Sequence, residues 1–168
     1  MTPTRGLLLH MNIVHYIPNV LSENQRLQLI EDAKPLLMTG AELSEYFGKG
    51  GWYPGKQTLS DIHKNSTFDD VFNIFIGQIW ECLDIRFTID KAWVNWTDGD
   101  KQHECWHTHR GLYSAVYYMT TDNCGTQFED QFIETEVNSL LVFPACMRHT
   151  APVSDSRYER YTLAMELI

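Results

Sequence analysis

His103, Cys105, His107 and His109 alternate in the chain. If this stretch is extended, all four side chains point to one face, because strand side chains repeat every two residues. Three imidazoles and a thiol on one face would make a metal site, imidazole being a common transition-metal ligand. The plainer alternative is that one or two of them are surface or core histidines, and for a lone histidine that alternative is preferred. The pair His107-Thr108-His109 favours the metal. A third ligand must come from elsewhere, and His149 is the candidate. It follows the short apolar strand around Phe143-Pro144, whose end can deliver it to the mouth of a barrel. Zinc bound through Cys105 is the weaker option, since no second cysteine lies at finger spacing.

Beyond His149 comes Arg160, in the alternating run Tyr158 to Ile168. Tyr158, Arg160, Thr162 and Ala164 share one face of that run, and Tyr161, Leu163, Met165 and Leu167 share the other. The leucine face must pack against something, for which the helices are the candidates, so the Arg160 face looks into the barrel. An unpaired buried guanidinium is very costly, so Arg160 requires an anion. A protein carboxylate, Glu129 or Glu166, is one choice. A ligand carboxylate is the other, held bidentately by the planar guanidinium.

These residues need elements to position them. Asn12 to Val20 reads as a strand ending at Pro18-Asn19. Ser22 then reads as an N-cap, with Gln25 three residues on completing a capping box. Leu27, Ile30, Ala33 and Leu37 follow at near-helical spacing, and Pro35 kinks or ends that helix. Residues 40–65 hold five glycines and Pro54, which predicts a long irregular segment of the kind often used as a lid. A second helix is predicted from Ser66, with Phe68, Val71, Phe72, Phe75, Ile79 and Cys82 as its apolar stripe. From Arg86 onward, β-branched and aromatic runs recur at Phe87 to Trp96, Tyr113 to Thr120, Thr126 to Phe128, Leu140 to Phe143 and Tyr158 to Ile168. Helices first and many short strands afterwards predict a mainly β barrel or sandwich braced by helices.

The chain has 168 residues, the size of one domain, which we divide into helical support over residues 1–85 and a barrel core over 86–168. Lys and Arg number 13 against 22 Asp and Glu, giving a formal charge of −9. Such an acidic chain lacks the basic footprint of a nonspecific nucleic-acid binder. Its apolar runs fall far short of the roughly 20 residues that span a bilayer, and no membrane association is expected. The run Leu7-Leu8-Leu9 is too short for a signal peptide. The four cysteines are widely spaced, so reduced thiols in a cytoplasmic protein are expected.

The order His107-x-His109, Tyr117-Tyr118, Gly125, Phe143-Pro144, His149 and Arg160-x-Thr162 resembles the 2-oxoglutarate- and Fe(II)-dependent dioxygenases, most of all the prolyl-hydroxylase-like branch and small oxygenases with an H-x-H element. The resemblance covers roughly Trp93 to Ile168, and Ile13 to Pro35 also resembles that family's opening strand and helix. It implies a double-stranded β-helix, or jelly-roll, barrel with flanking helices. It implies Fe(II) held by His107 and His149, and 2-oxoglutarate gripped at its far carboxylate by Arg160, with the Thr162 hydroxyl beside it and Tyr118 touching the same carboxylate. Trp96 stands where many relatives have a co-substrate tyrosine. The largest departure is His109, because the common element is H-x-D or H-x-E. Either three histidines hold the metal, or His109 turns away and a carboxylate such as Glu104 or Asp130 completes the set. With three histidines, His109→Asp is expected to preserve or tighten metal binding.

The implied activity is hydroxylation of a peptide or small metabolite, coupled to oxidative decarboxylation of 2-oxoglutarate. Trp52, Tyr53, Trp93 and Trp106 are candidates to line an aromatic substrate cleft. Two other readings stand beside it. A cupin-type metalloprotein shares the barrel and the H-x-H, but typically adds a glutamate shortly afterwards, where this chain has Tyr113 and Ser114. A catalytically inactive barrel would serve as a binding module.

Overall fold

A computed structural model describes residues 13–47, 55–98, 105–120, 125–151 and 159–168. Ser22 is extended, its hydroxyl accepts the Gln25 amide and the Gln25 side chain accepts the Ser22 amide, closing the capping box. Helix α1 (Glu23–Ala33) runs from there until Pro35 tightens the chain into a 3-10 turn, Lys34–Leu36. Its buried face is Leu29, Ile30 and Ala33, while Leu27 is exposed.

The segment expected to be irregular holds helix α2 (Gly40–Phe47). Thr39 and Glu42 form the reciprocal pair that starts it. The Glu42 amide donates to the Thr39 hydroxyl at 3.3 Å, and the Thr39 amide donates to the Glu42 carboxylate at 2.7 Å. The signature Thr-x-x-Glu outweighs the neighbouring glycine, because it satisfies two otherwise orphaned amides. Helix α3 (Asp69–Leu83) follows a 3-10 turn at Ser66–Phe68 that is capped by Asn65 rather than by Ser66. It buries Phe72, Phe75, Ile79 and Leu83; Cys82 is exposed.

The strands are β1 (His15–Ile17), β2 (Met38–Thr39), β3 (Lys56–Gln57), β4 (Ile89–Thr97), β5 (Tyr113–Tyr118), β6 (Gly125–Phe128), β7 (Phe132–Glu134), β8 (Ser139–Pro144), β9 (His149–Thr150) and β10 (Arg160–Leu167). They form a seven-stranded sheet in the order β1-β8-β5-β10-β4-β3-β2 and a three-stranded sheet in the order β7-β6-β9. All ladders are antiparallel. The two sheets pack together through Tyr118, Leu141 and Phe143 from the larger one and Phe128 from the smaller. This is a jelly-roll arrangement. The expected barrel is two facing sheets, with no closed ring of strands among the described residues. Short strands β1 to β3 carry the N-terminal region into the larger sheet.

Directly opposed residues of an antiparallel sheet share a face, so register decides which side chains meet. In β10, Tyr161, Leu163, Met165 and Leu167 lie in one core with Phe72, Phe75, Ile79 and Leu83 of α3. This is the packing partner the leucine face needs. Arg160, Thr162, Ala164 and Glu166 therefore face the smaller sheet. Their partners on β4 are Thr97, Asn95, Trp93 and Lys91. Tyr118 on β5 opposes Thr162 from the other side. Trp96 opposes Tyr161 and packs into the helix-side core, so it does not take the place of the relatives' co-substrate tyrosine. At that level the inward residue is Asn95.

Candidate metal centre

The stretch around His107 and His109 is not a strand. A single bridge and three backbone bonds hold it against the segment that leads to β9. His107 and His149 exchange amide and carbonyl bonds at 3.0 Å each, and the His109 amide donates to Ala145 at 3.0 Å. On its other side His149 opposes Phe128 of β6. This double anchoring aims all three imidazoles into one space. One donor nitrogen from each of His107, His109 and His149 lies within 4.8 Å of the others, and the ring centroids are 4.5 to 5.1 Å apart. His107 and His109 thus share a space as alternation predicts, though on an irregular backbone, and Cys105 is not part of the cluster.

The donor chemistry fits a cation. Each Nδ1 has an acceptor: the Cys105 carbonyl at 2.7 Å for His107, the Glu166 carboxylate at 3.1 Å for His109, and the Met147 carbonyl at 2.9 Å for His149. A proton on each Nδ1 makes those bonds and leaves each Nε2 as a bare lone pair. That is the arrangement metal-ligating histidines ordinarily show. Burial pushes His109 down to about 4, with His107 and Lys91 adding to the effect. Burial likewise brings His149 down to about 4, against the upward pull of its Met147 bond, with His107 and His109 contributing. Both are neutral at physiological pH, as ligands must be.

Those shifts have a consequence for stability. Both lie below 6.5, so between that value and about 4 the unfolded chain binds more protons than the folded one. Stability therefore rises with pH across this window and is lost as pH falls through it. The metal-free chain is expected to lose on the order of a few kcal/mol over the window. Denaturant midpoints measured from about pH 7 down to pH 4.5 check it, and a flat profile would contradict the burial of these rings.

Arg160 starts the row that ends at Glu166, on the same inward face. Its Nε is buried with no hydrogen-bond partner among the described residues. Neither protein carboxylate serves it. Glu129 pairs with Arg148 at 3.2 Å, and Glu166 is engaged by His109 at 3.1 Å and by Lys91 at 3.3 Å. An orphaned buried guanidinium nitrogen fits an anionic ligand. Thr162 and Tyr118 are buried opposite each other next to it, and the Tyr118 hydroxyl bonds Thr126 at 2.6 Å.

Several sequence candidates stand elsewhere. Cys105 is outside the histidine cluster, and contributes its carbonyl rather than its thiol. Asp130 is exposed and does not join the cluster, while His103 and Glu104 lie outside the described residues. Of the aromatic candidates, Trp93 stacks near His109 at 5.6 Å and Trp106 lies under the Arg148 guanidinium at 5.7 Å. Trp52 and Tyr53 lie outside the described residues. Sequence reasoning offered Glu166 only as a partner for Arg160 and missed its place behind His109. Its even-numbered alternation with Arg160 and Thr162 was the signal that it faces the same way.

No family model matches the chain, and no curated protein matches it. Solved structures do match. A non-heme alpha-ketoglutarate-dependent epimerase from nogalamycin biosynthesis, SnoN, superposes with a TM-score of 0.69 at 10% identity, covering 94% of this chain and 78% of its own. HygX from Streptomyces hygroscopicus, solved with nickel, 2-oxoglutarate and hygromycin B, gives 0.64 at 8%, covering 98% and 86%. The viral collagen prolyl hydroxylase of Paramecium bursaria Chlorella virus-1 gives 0.59 at 14%, covering 92% and 89%. At these identities the likeness is one of fold. The fold is the jelly-roll of 2-oxoglutarate-dependent oxygenases and prolyl hydroxylases, as the sequence resemblance implied.

Proposed function

We propose that the chain is a 2-oxoglutarate- and Fe(II)-dependent oxygenase that hydroxylates a peptide or small metabolite. His107, His109 and His149 would hold the metal, and Arg160, Thr162 and Tyr118 would receive the co-substrate. One observation carries the reading: three imidazoles, one exposed, one half-buried and one buried, converge on the same inward face as an arginine whose Nε has no partner among the described residues. A cupin-type site needs the histidines but gives no role to Arg160.

Together the metal and 2-oxoglutarate would supply the oxidising power for C–H hydroxylation. The chain's own contributions are geometric and electrostatic. Three backbone-anchored imidazoles would hold the ion. An imidazole lone pair brings no charge to offset the ion's; a dianionic co-substrate would compensate it. Arg160 would orient that dianion by its remote carboxylate, with the Thr162 hydroxyl beside it. Phe128 and Phe143 pack on His149 at 6.0 and 4.7 Å and exclude water from behind the ligand. Free thiols at Cys82, Cys105 and Cys146 suit a cytoplasmic location. Among the described residues, no helix is long and apolar enough to cross a membrane.

The test is turnover without a prime substrate. Protein with Fe(II) and 2-oxoglutarate in air is expected to release succinate slowly, and chelation or omission of Fe(II) to stop it. Metal binding with neither succinate formation nor 2-oxoglutarate binding would favour the cupin reading. Absence of metal binding would favour the inactive module.

A further inference from the structure

Glu166 is a carboxylate buried where the proposed metal reading assigns it no role. Its side chain is 8% exposed and its Oε1 accepts from His109 Nδ1 at 3.1 Å. Its Oε2 has no hydrogen bond among the described residues, although Lys91 Nζ lies 3.3 Å away as an ion-pair partner. Ser114, opposite Glu166 in the β5 register, has a buried Oγ with no partner among the described residues either. Burying a carboxylate is costly unless it is paired and hydrogen-bonded, and at Glu166 the hydrogen bond comes from His109.

The triad is equally unusual from the other side. It contains no acid, whereas a common oxygenase triad of this donor type has two histidines and one carboxylate. The position where that carboxylate would sit is His109, and the carboxylate stands directly behind it. We propose that Glu166 is a positioning residue of the metal centre: it locks His109 with Nε2 toward the ion, and supplies through the imidazole the negative charge that an acidic ligand would supply by direct contact. This rests on the metal reading above. It adds that the centre's protein charge has moved one residue outward rather than vanished.

The same geometry changes what an aspartate at position 109 would do. Placed against Glu166, it would bring two carboxylates together where the side chains are 10% and 8% exposed, and like charges there oppose each other. His109→Asp alone is therefore expected to lose affinity, against the expectation from sequence. His109→Asp with Glu166→Gln is expected to recover at least tenfold over the single variant, because the acid then ligates without a second charge behind it.

Mn(II) is the probe, measured by titration calorimetry on the full chain, with the His109 tautomer read by nitrogen NMR in the metal-free state. Glu166→Gln keeps the acceptor and removes the charge; we expect about tenfold weaker Mn(II) binding with the His109 tautomer retained. Glu166→Ala removes both and is expected to weaken binding towards a hundredfold and to mix the tautomers. If the alanine variant does not fold, the isosteric glutamine variant and the position-109 pair decide. Unchanged Mn(II) affinity in Glu166→Gln, or a double variant no better than His109→Asp, would overturn the role of Glu166 while leaving the three-histidine site intact. A parent chain that binds no Mn(II) would overturn both.

Discussion

Alanine at His149 is expected to abolish stoichiometric metal binding, and alanine at His107 to do nearly the same. Each removes one of three protein donors, a larger loss than the ten- to hundredfold typical of an outer partner, so affinity should fall by more than about a hundredfold. The two variants separate ligation from folding. His149 is 4% exposed and packed on Phe128 and Phe143, so its truncation also leaves a cavity and lowers stability. His107 is exposed, and its truncation costs little fold. Loss of binding in both, with an undiminished melting temperature for His107→Ala, assigns the effect to the site. His109→Ala should match them. Calorimetric titration with Mn(II) decides the matter: parent-like affinity in His109→Ala would remove that residue from the ligand set and reopen the search for a third donor.

Arg160→Ala is expected to weaken 2-oxoglutarate binding about a hundredfold, roughly 2.7 kcal/mol, while leaving metal affinity unchanged. The magnitude follows from what the side chain lacks. Its Nε is buried without a protein partner among the described residues, so a ligand carboxylate gains a charge-assisted pair without displacing an existing one. The sparing of metal follows from position, since the histidines gather over the Glu166 end of β10 and Arg160 begins the strand. Arg160→Lys should rescue only partly, because a point charge does not reproduce the bidentate fork. Equal 2-oxoglutarate affinity in parent and alanine variant would move the anion site elsewhere and favour the cupin reading.

The regular parts of this chain were legible because each carries its own signal. The Ser22-Gln25 box, the apolar stripe of α3 and the alternation of β10 are local patterns, and local hydrogen bonding or face-burial enforces them. Thr39-x-x-Glu42 was equally local, but five nearby glycines masked it. β7 and β9 were not legible: three and two residues are too short to show a period, and they exist because β6 offers them an edge.

The site divides along the same line. By itself the sequence singled out the candidate residues, His107, His109, His149 and Arg160, and the face of β10 that turns inward, since residue type and a period of two are properties of adjacent positions. Only the tertiary structure decided that the three histidines meet, because His149 reaches the others through bonds between segments some forty residues apart. It alone put Trp96 among the helices and Asn95 inside, a choice of strand register that one residue of slip reverses. It also decided that Glu166 faces His109 rather than Arg160. Opposite charges along one strand face compete for partners, and the pairing goes to whichever group another segment carries within hydrogen-bond reach.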